Sequence, residues 1–546
     1  MDGNKIFKYL WLYLLVIPAA AGLVIHAWSA EPAVQSNVPQ FQTSDRCVAC
    51  HNGLTVSSGE DISIGLAWRP TMMANSARDP YWQAGVRRET MDHSESGAAI
   101  EDECSICHMP MARYVSHLNS HEGTVFSHLG FLPDDRGDRL AADGVSCSLC
   151  HQIGREKLGT RESFVGNFVI GGPDMQGNRI EYGPFVPDAG HTRIMWSSTG
   201  GFMPTESPHM RQSEICATCH TLITKALGPD GESIGELPEQ VPYQEWQHST
   251  YRDKRSCQSC HMPVVMEDAA VTSVRGVPRT GVSRHQFSGG NFFVISILNR
   301  YRNELSVKAA PDGFTGNVNR TKEHLRSEAA RISIDKPVMS GGRLETEMAL
   351  ENFGGHKLPT AYPSRRVWLH VTIRDGNNRI VFESGAVNPS GAITDNDNDI
   401  DGAIFEPHYT EIRSPEQVQI YEAIMADSGG GVTTGLLKAV RYIKDNRLLP
   451  RGFDKYKADS DVAVAGKAFN DADFGGGADR IRYSIDPGSA QGPFRVEAEL
   501  CYQPIGYRWA MNLKSYDADE TRRFTGYYEA SSGASMVVLA QAQAAQ

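Results

Sequence analysis

After residue 25 this 546-residue chain has no apolar run approaching membrane-span length, which excludes a multi-span membrane protein. It also lacks the basic excess of a nucleic-acid binder: 53 Lys plus Arg stand against 65 Asp plus Glu, a net charge of −12 with His neutral. Spare cysteine is scarcer still. Of eleven cysteines, ten fall in one repeated motif and only Cys501 is left over, so there is no material for a separate disulfide framework. Cys501 falls in a strand-like segment and is expected to be a buried, inert thiol. With apolar residues at 40% and 52 glycines, the remainder is ordinary globular composition, neither disordered nor collagen-like. The length suits roughly three or four domains.

The repeated motif is C-x-x-C-H, written five times: Cys47-Val-Ala-Cys50-His51, Cys104-Ser-Ile-Cys107-His108, Cys147-Ser-Leu-Cys150-His151, Cys216-Ala-Thr-Cys219-His220 and Cys257-Gln-Ser-Cys260-His261. It is the c-type haem attachment signal. Two thiols form thioethers to the porphyrin vinyl groups, and the adjoining His is thereby held under the iron as proximal ligand. Zinc ribbons space their pairs by about 15–20 residues, whereas successive motifs here start 57, 43, 69 and 41 residues apart. A thioredoxin-like redox motif would occur once. Five covalent haems with their irons are therefore expected.

Residues 1–30 agree with this. Lys5 and Lys8 precede an apolar run from Tyr9 to Ile25, followed by Ala27-Trp28-Ser29-Ala30, the layout of a secretory signal. Covalent haem attachment takes place outside the bacterial cytoplasm, so a periplasmic or extracellular location is expected, with a soluble mature body. An uncleaved anchor through 9–25 is the alternative.

The fold class expected is multidomain: a mostly irregular and α multihaem cytochrome c domain over 31–325, then a β-sandwich-like domain over 331–546. The first part is rich in Gly, Pro, His and Met with little periodicity, and the macrocycles would supply its core. A linking helix is expected around Thr321–Ala330. Beyond it, Arg331–Ile334, Arg343–Leu350, Val367–Ile373, Val496–Tyr502 and Ser535–Ala540 read as strands. Asp375-Gly-Asn-Asn marks a hairpin into Arg379–Glu383, and an insertion is expected from about 395 to 475.

What fills the sixth position of each iron decides between electron transfer and catalysis. Histidines outside the motifs exceed the number of irons, so bis-His ligation throughout is within reach. His93 lies 11 residues before Cys104 and His209 lies 7 before Cys216, too close to wrap round their own haems; each is expected to serve a neighbour. His285, in Arg284-His-Gln-Phe-Ser-Gly-Gly-Asn291, and His356, in Asn352-Phe-Gly-Gly-His-Lys-Leu-Pro-Thr360, stand beside glycines that permit close approach to a macrocycle. His117 or His128 would supply a fifth, and His248 is a weaker choice. Met72 and Met73 are further candidates. His324, on a polar helix, and His370, inside a strand, read as structural.

The segments Trp68–Tyr81, Asp143–Gln152, Ser213–His220, Cys257–Pro263 and Gly355–Thr360 resemble multihaem c-type cytochromes of the cytochrome c nitrite reductase, hydroxylamine oxidoreductase and tetrahaem cytochrome superfamily. The chain looks closest to pentahaem members with a C-terminal β domain, and the likeness covers most of 40–380. It implies that the β domain donates His356 to a haem. The nitrite reductases carry a C-x-x-C-K haem, absent here, and the hydroxylamine-oxidising relatives carry more haems and a tyrosine cross-link. Both departures point away from catalysis.

Asp397, Asp399 and Asp401 followed by Gly402 have the spacing that opens a calcium loop, with His408 where the closing acid would stand. The alternative is a solvated acidic turn. The expectation for the whole chain is an exported electron carrier serving redox proteins or a membrane-associated respiratory complex, with no nucleic acid. The alternatives are a haem-based reductase or oxidase of a small nitrogen or sulfur compound, or a subunit of a homo-oligomer, larger assembly or extracellular filament.

Overall fold

The computed structural model describes residues 38–546, so the leader expected over 1–30 and its apolar run 9–25 lie outside the described residues. Among the described residues, no helix is long and apolar enough to cross a membrane.

Up to residue 328 the chain is a succession of short helices and turns. Helix Pro80–Asp92 starts where the Asp79 carboxylate accepts the Tyr81 and Trp82 N–H groups at 2.8 and 3.3 Å, with Pro80 in the first turn, where its missing N–H costs nothing. Helix Gly97–His108 follows and ends in the second motif. Two small sheets interrupt the helical and irregular pattern expected here. Arg179–Gly183 pairs in parallel with Phe202–Glu206, and Leu222–Leu227 forms a hairpin with Ser233–Gln240. Helix Phe292–Arg300 buries Phe292, Phe293, Val294, Ile295, Ile297 and Leu298; a helix apolar nearly all round is a core helix. The helix expected around Thr321–Ala330 runs instead over Pro311–Glu328, ten residues longer at its start.

The C-terminal part holds two five-stranded sheets. In one, Glu411–Ile412, Ala478–Ile485, Arg343–Asn352 and Ala330–Ile334 lie side by side, with Val338–Ser340 also on Arg343–Asn352. In the other the order is Ile420–Tyr421, Arg366–Arg374, Arg495–Gln503 and Val537–Ala545, with Ile380–Ser384 also on Arg366–Arg374. Arg343–Asn352 alternates between half-exposed and buried along its length, as one-sided burial requires. At the expected hairpin Asp375 accepts the Asn377 and Arg379 N–H groups, and Asn378 takes φ +63°.

The stretch 395–475 is stitched into both sheets: Glu411–Ile412 pairs with Arg482–Tyr483, and Ile420–Tyr421 with Val367–Trp368. Its remaining strands form a separate three-stranded sheet. Helices Tyr507–Asn512 and Asp519–Ser531 were not expected. The second lies on helix Pro80–Asp92, joined by Arg87–Glu520 (2.9 Å) and Arg523–Gln83 (2.6 Å). One apolar core contains Phe292 and Leu298 together with Met348, Leu350, Leu369 and Val371, so it runs through the boundary drawn at 325–331. Cys501 is buried, and burial pushes its thiol well up from the usual range.

Candidate functional site

Each motif occupies about one helical turn, as in Cys147–Cys150 and Cys257–His261. The His N–H reaches back to the first Cys carbonyl in three motifs, at 3.1 Å for His51, 3.0 Å for His151 and 2.9 Å for His220. Positions i, i+3 and i+4 then share one face, so both thiols and the imidazole point the same way. All ten motif cysteines and all five motif histidines line one continuous cavity of about 1520 Å³. None of these cysteines forms a disulfide. Thiols of different motifs face one another instead: Cys47 and Cys147, Cys219 and Cys107, and Cys216 and Cys257.

The imidazoles are oriented. The Nδ1–H of His51 donates to the Val271 carbonyl, that of His108 to Ser76 (2.9 Å), that of His151 to Tyr182 and that of His261 to Ser288. Such bonds fix the tautomer and leave the Nε2 lone pair available to a metal. Burial lowers the basicity of His108 and His220 to about 4, so both are held neutral.

Four further histidines share the cavity wall: His191, His285, His324 and His356. The His285 ring lies 6.4 Å from that of His151 at 18° between planes, and the His356 ring 6.2 Å from that of His261 at 12°. Both turn Nδ1 to a backbone carbonyl, of Ser283 at 3.1 Å and Lys357 at 3.0 Å. His324, read from sequence as structural, stands 6.2 Å from His261 at 61°. His191 bonds Asp188 through Nδ1, and its Nε2 lies 3.0 Å from the Arg275 carbonyl.

The other histidines expected as ligands stand outside that wall. His117 is hydrogen-bonded through Nε2 to Asp102 at 2.6 Å, and His128 through Nδ1 to Asp138 at 2.7 Å. His209 has both ring nitrogens engaged, by the Ser207 hydroxyl (2.6 Å) and the Ile153 carbonyl (2.9 Å). His93 ends helix Pro80–Asp92 with Nε2 buried and unpartnered. His248 faces Asp459 at 3.4 Å, and His370 lies between Glu383 and Glu499 at 3.1 Å each. Met72 and Met73 line the cavity.

The calcium loop expected at Asp397, Asp399 and Asp401 does not form. Arg366 takes the Asp399 carboxylate in a bidentate pair at 2.8 and 2.9 Å, and Asp401 caps the Ala403 N–H. Residues Asp397–Ile400 make a helical turn rather than a loop that would converge its acids. His408 instead joins buried Asp471 and Asp479. That trio does not suit a cation either. Gln419 and Asn446 both donate side-chain N–H to His408 Nδ1 at 3.1 Å, and their oxygens are fixed by the Tyr409 and Glu422 N–H groups. The ring proton therefore sits on Nε2 and points to Asp471 at 3.0 Å, leaving no lone pair for a metal.

No protein-family profile and no curated relative matches the sequence. Among solved structures, a penta-heme cytochrome c552 from Thermochromatium tepidum is similar in fold, with a TM-score of 0.51 at 14% sequence identity over 93% of this chain and 99% of that one.

Proposed function

We propose that the chain carries five c-type haems, one on each Cys-x-x-Cys-His motif, and passes electrons through them between redox partners. The observation carrying this reading is the pairing of imidazoles across the cavity. Two metal–nitrogen bonds of about 2.0 Å, with about 1.1 Å from each nitrogen to its ring centre, put two trans imidazoles about 6.2 Å apart. His151 with His285, and His261 with His356, stand at that spacing with near-parallel planes. The fold likeness to a pentahaem protein supports the same count.

In this reading the ten cysteines anchor the groups, and His51, His108, His151, His220 and His261 are proximal ligands. His285 and His356 would complete two of the irons, and His324 is the remaining cavity-wall imidazole placed to serve another, since Asp188 and the Arg275 carbonyl engage both ring nitrogens of His191. A haem supplies a one-electron iron couple whose potential follows its axial ligands and burial. The sulfurs of the first motif face those of the third, and the sulfurs of the fourth face those of the second and fifth, so the groups held on these motifs would be neighbours. We infer export through residues 1–30 and docking to a redox protein or membrane-associated complex, for which the net charge of −12 suits a basic partner. Assembly into an oligomer or filament is the corresponding alternative.

A second reading, a haem-based reductase or oxidase of a small nitrogen or sulfur compound, has one observation in its favour. Among the described residues, the ring contact of His108 is with Trp82, stacked at 4.2 Å, rather than with another imidazole. Asp79, Glu89, Glu239 and Tyr362 line the same cavity, and burial raises Glu239 to about 7.

Axial-ligand spectroscopy of the native protein tests the choice. Electron transfer predicts low-spin, mostly bis-His iron in the resting protein. A dominant high-spin signal that responds to cyanide would favour the enzyme.

A further inference from the structure

His356 lies in the segment that follows strand Arg343–Asn352, and its position is not set by the cavity alone. The segment is tied at both ends. Before it, the buried Asn352 side chain accepts the Gly354 N–H (2.8 Å) and donates to the His356 and Leu448 carbonyls (2.9 Å each). After it, Glu245 Oε2 accepts the Lys357 N–H (3.0 Å) and the Thr360 hydroxyl (2.5 Å). Glu245 comes from helix Pro242–Gln247, in the motif-bearing part of the chain.

That carboxylate is one corner of a buried tetrad. Its Oε1 faces Arg447 at 3.2 Å, Arg447 grips Asp445 at 2.7 and 2.8 Å, and Asp445 meets the Lys357 ammonium at 2.6 Å. The four side chains are 5% exposed or less, and they balance two positive charges against two negative ones. Removing one charge from such a group leaves another buried and uncompensated, a far larger cost than any surface pair carries. Glu245 thus holds the backbone N–H of the residue next to His356 and the Thr360 hydroxyl four residues on, so a shift of its carboxylate moves the segment that carries the imidazole.

We propose that Glu245, with Arg447, Asp445 and Lys357, is a positioning device that fixes the His356 ring opposite His261 and so sets the ligation of the fifth motif. This rests on the reading of His356 as an axial ligand. It makes the contact between the two halves of the chain part of the redox site.

The test uses three full-length, haem-loaded variants, Glu245→Asp, Glu245→Gln and His356→Ala, compared by electron paramagnetic resonance and melting temperature. Glu245→Asp keeps the charge but withdraws the carboxylate. It is expected to shift the g-values of one low-spin iron in five while melting close to the native protein. Glu245→Gln is expected to lose about one fifth of the low-spin signal, the same fifth that His356→Ala removes. A Glu245→Asp protein with native g-values overturns the proposal, whether or not Glu245→Gln accumulates. If His356→Ala itself leaves the spectrum unchanged, the axial-ligand reading fails. If His356→Ala alone changes it, only the positioning role fails.

Discussion

Replacing Cys216 and Cys219 together by serine is expected to abolish accumulation of the folded, coloured protein. The fourth motif has its two thiols facing Cys257 and Cys107, so three of the five motifs meet there. One fifth of the roughly 1520 Å³ cavity is about 300 Å³, and at about 24 cal/mol per Å³ that volume left empty costs about 7 kcal/mol. Whole domains are stable by only about 5–15 kcal/mol. Yield of purified protein, haem-stained gels and limited proteolysis measure the outcome. A double variant that accumulates and resists protease like the native chain would show that the fold does not depend on a group at this motif.

The second large effect is expected at His285. His285→Ala removes the ring that lies 6.4 Å from His151, while the Nδ1 bond from His151 to Tyr182 stays in place. One iron in five should then turn from low-spin to high-spin, and added imidazole should restore the low-spin signal. The reduction potential of that iron should move as well, since the axial ligand is the strongest control on it. Burial holds His285 neutral, lowering it to about 4, so its lone pair is available at ordinary pH. If all five irons remain low-spin in the variant, His285 is not an axial ligand.

The shared face of each Cys-x-x-Cys-His motif was legible because its geometry is local. Two thiols and an imidazole at i, i+3 and i+4 need only one turn of chain to converge. The longer strands were legible for the same kind of reason: Arg343–Asn352 and Arg495–Gln503 carry their period-2 pattern within themselves. Strands of two residues, such as Glu411–Ile412 and Ile420–Tyr421, have no room for a period, so the stretch containing them read as a detached insertion.

Partners across the cavity are a different problem. His151 and His285, or His261 and His356, are joined by tertiary packing, and nothing near His285 in the sequence names the ring it will face. Glycines beside His285 and His356 gave a hint of close approach. His117 and His128 had an equal claim by residue type, but neighbouring Asp102 and Asp138 hold them outside the wall. His324 was passed over because its helix looked polar, although that helix turns Asn317, Arg320, Thr321 and His324 to the cavity. The acidic run at 397–401 failed as a calcium loop because Arg366, more than thirty residues earlier, claims its central carboxylate.

Thioether attachment of haem is read out by the intact mass of the purified protein together with a pyridine haemochrome count. Five thioether-bound groups give a mass above that of the polypeptide by five haems, all retained after acid-acetone extraction. A mass equal to the bare chain, or haem that extracts freely, would contradict that attachment.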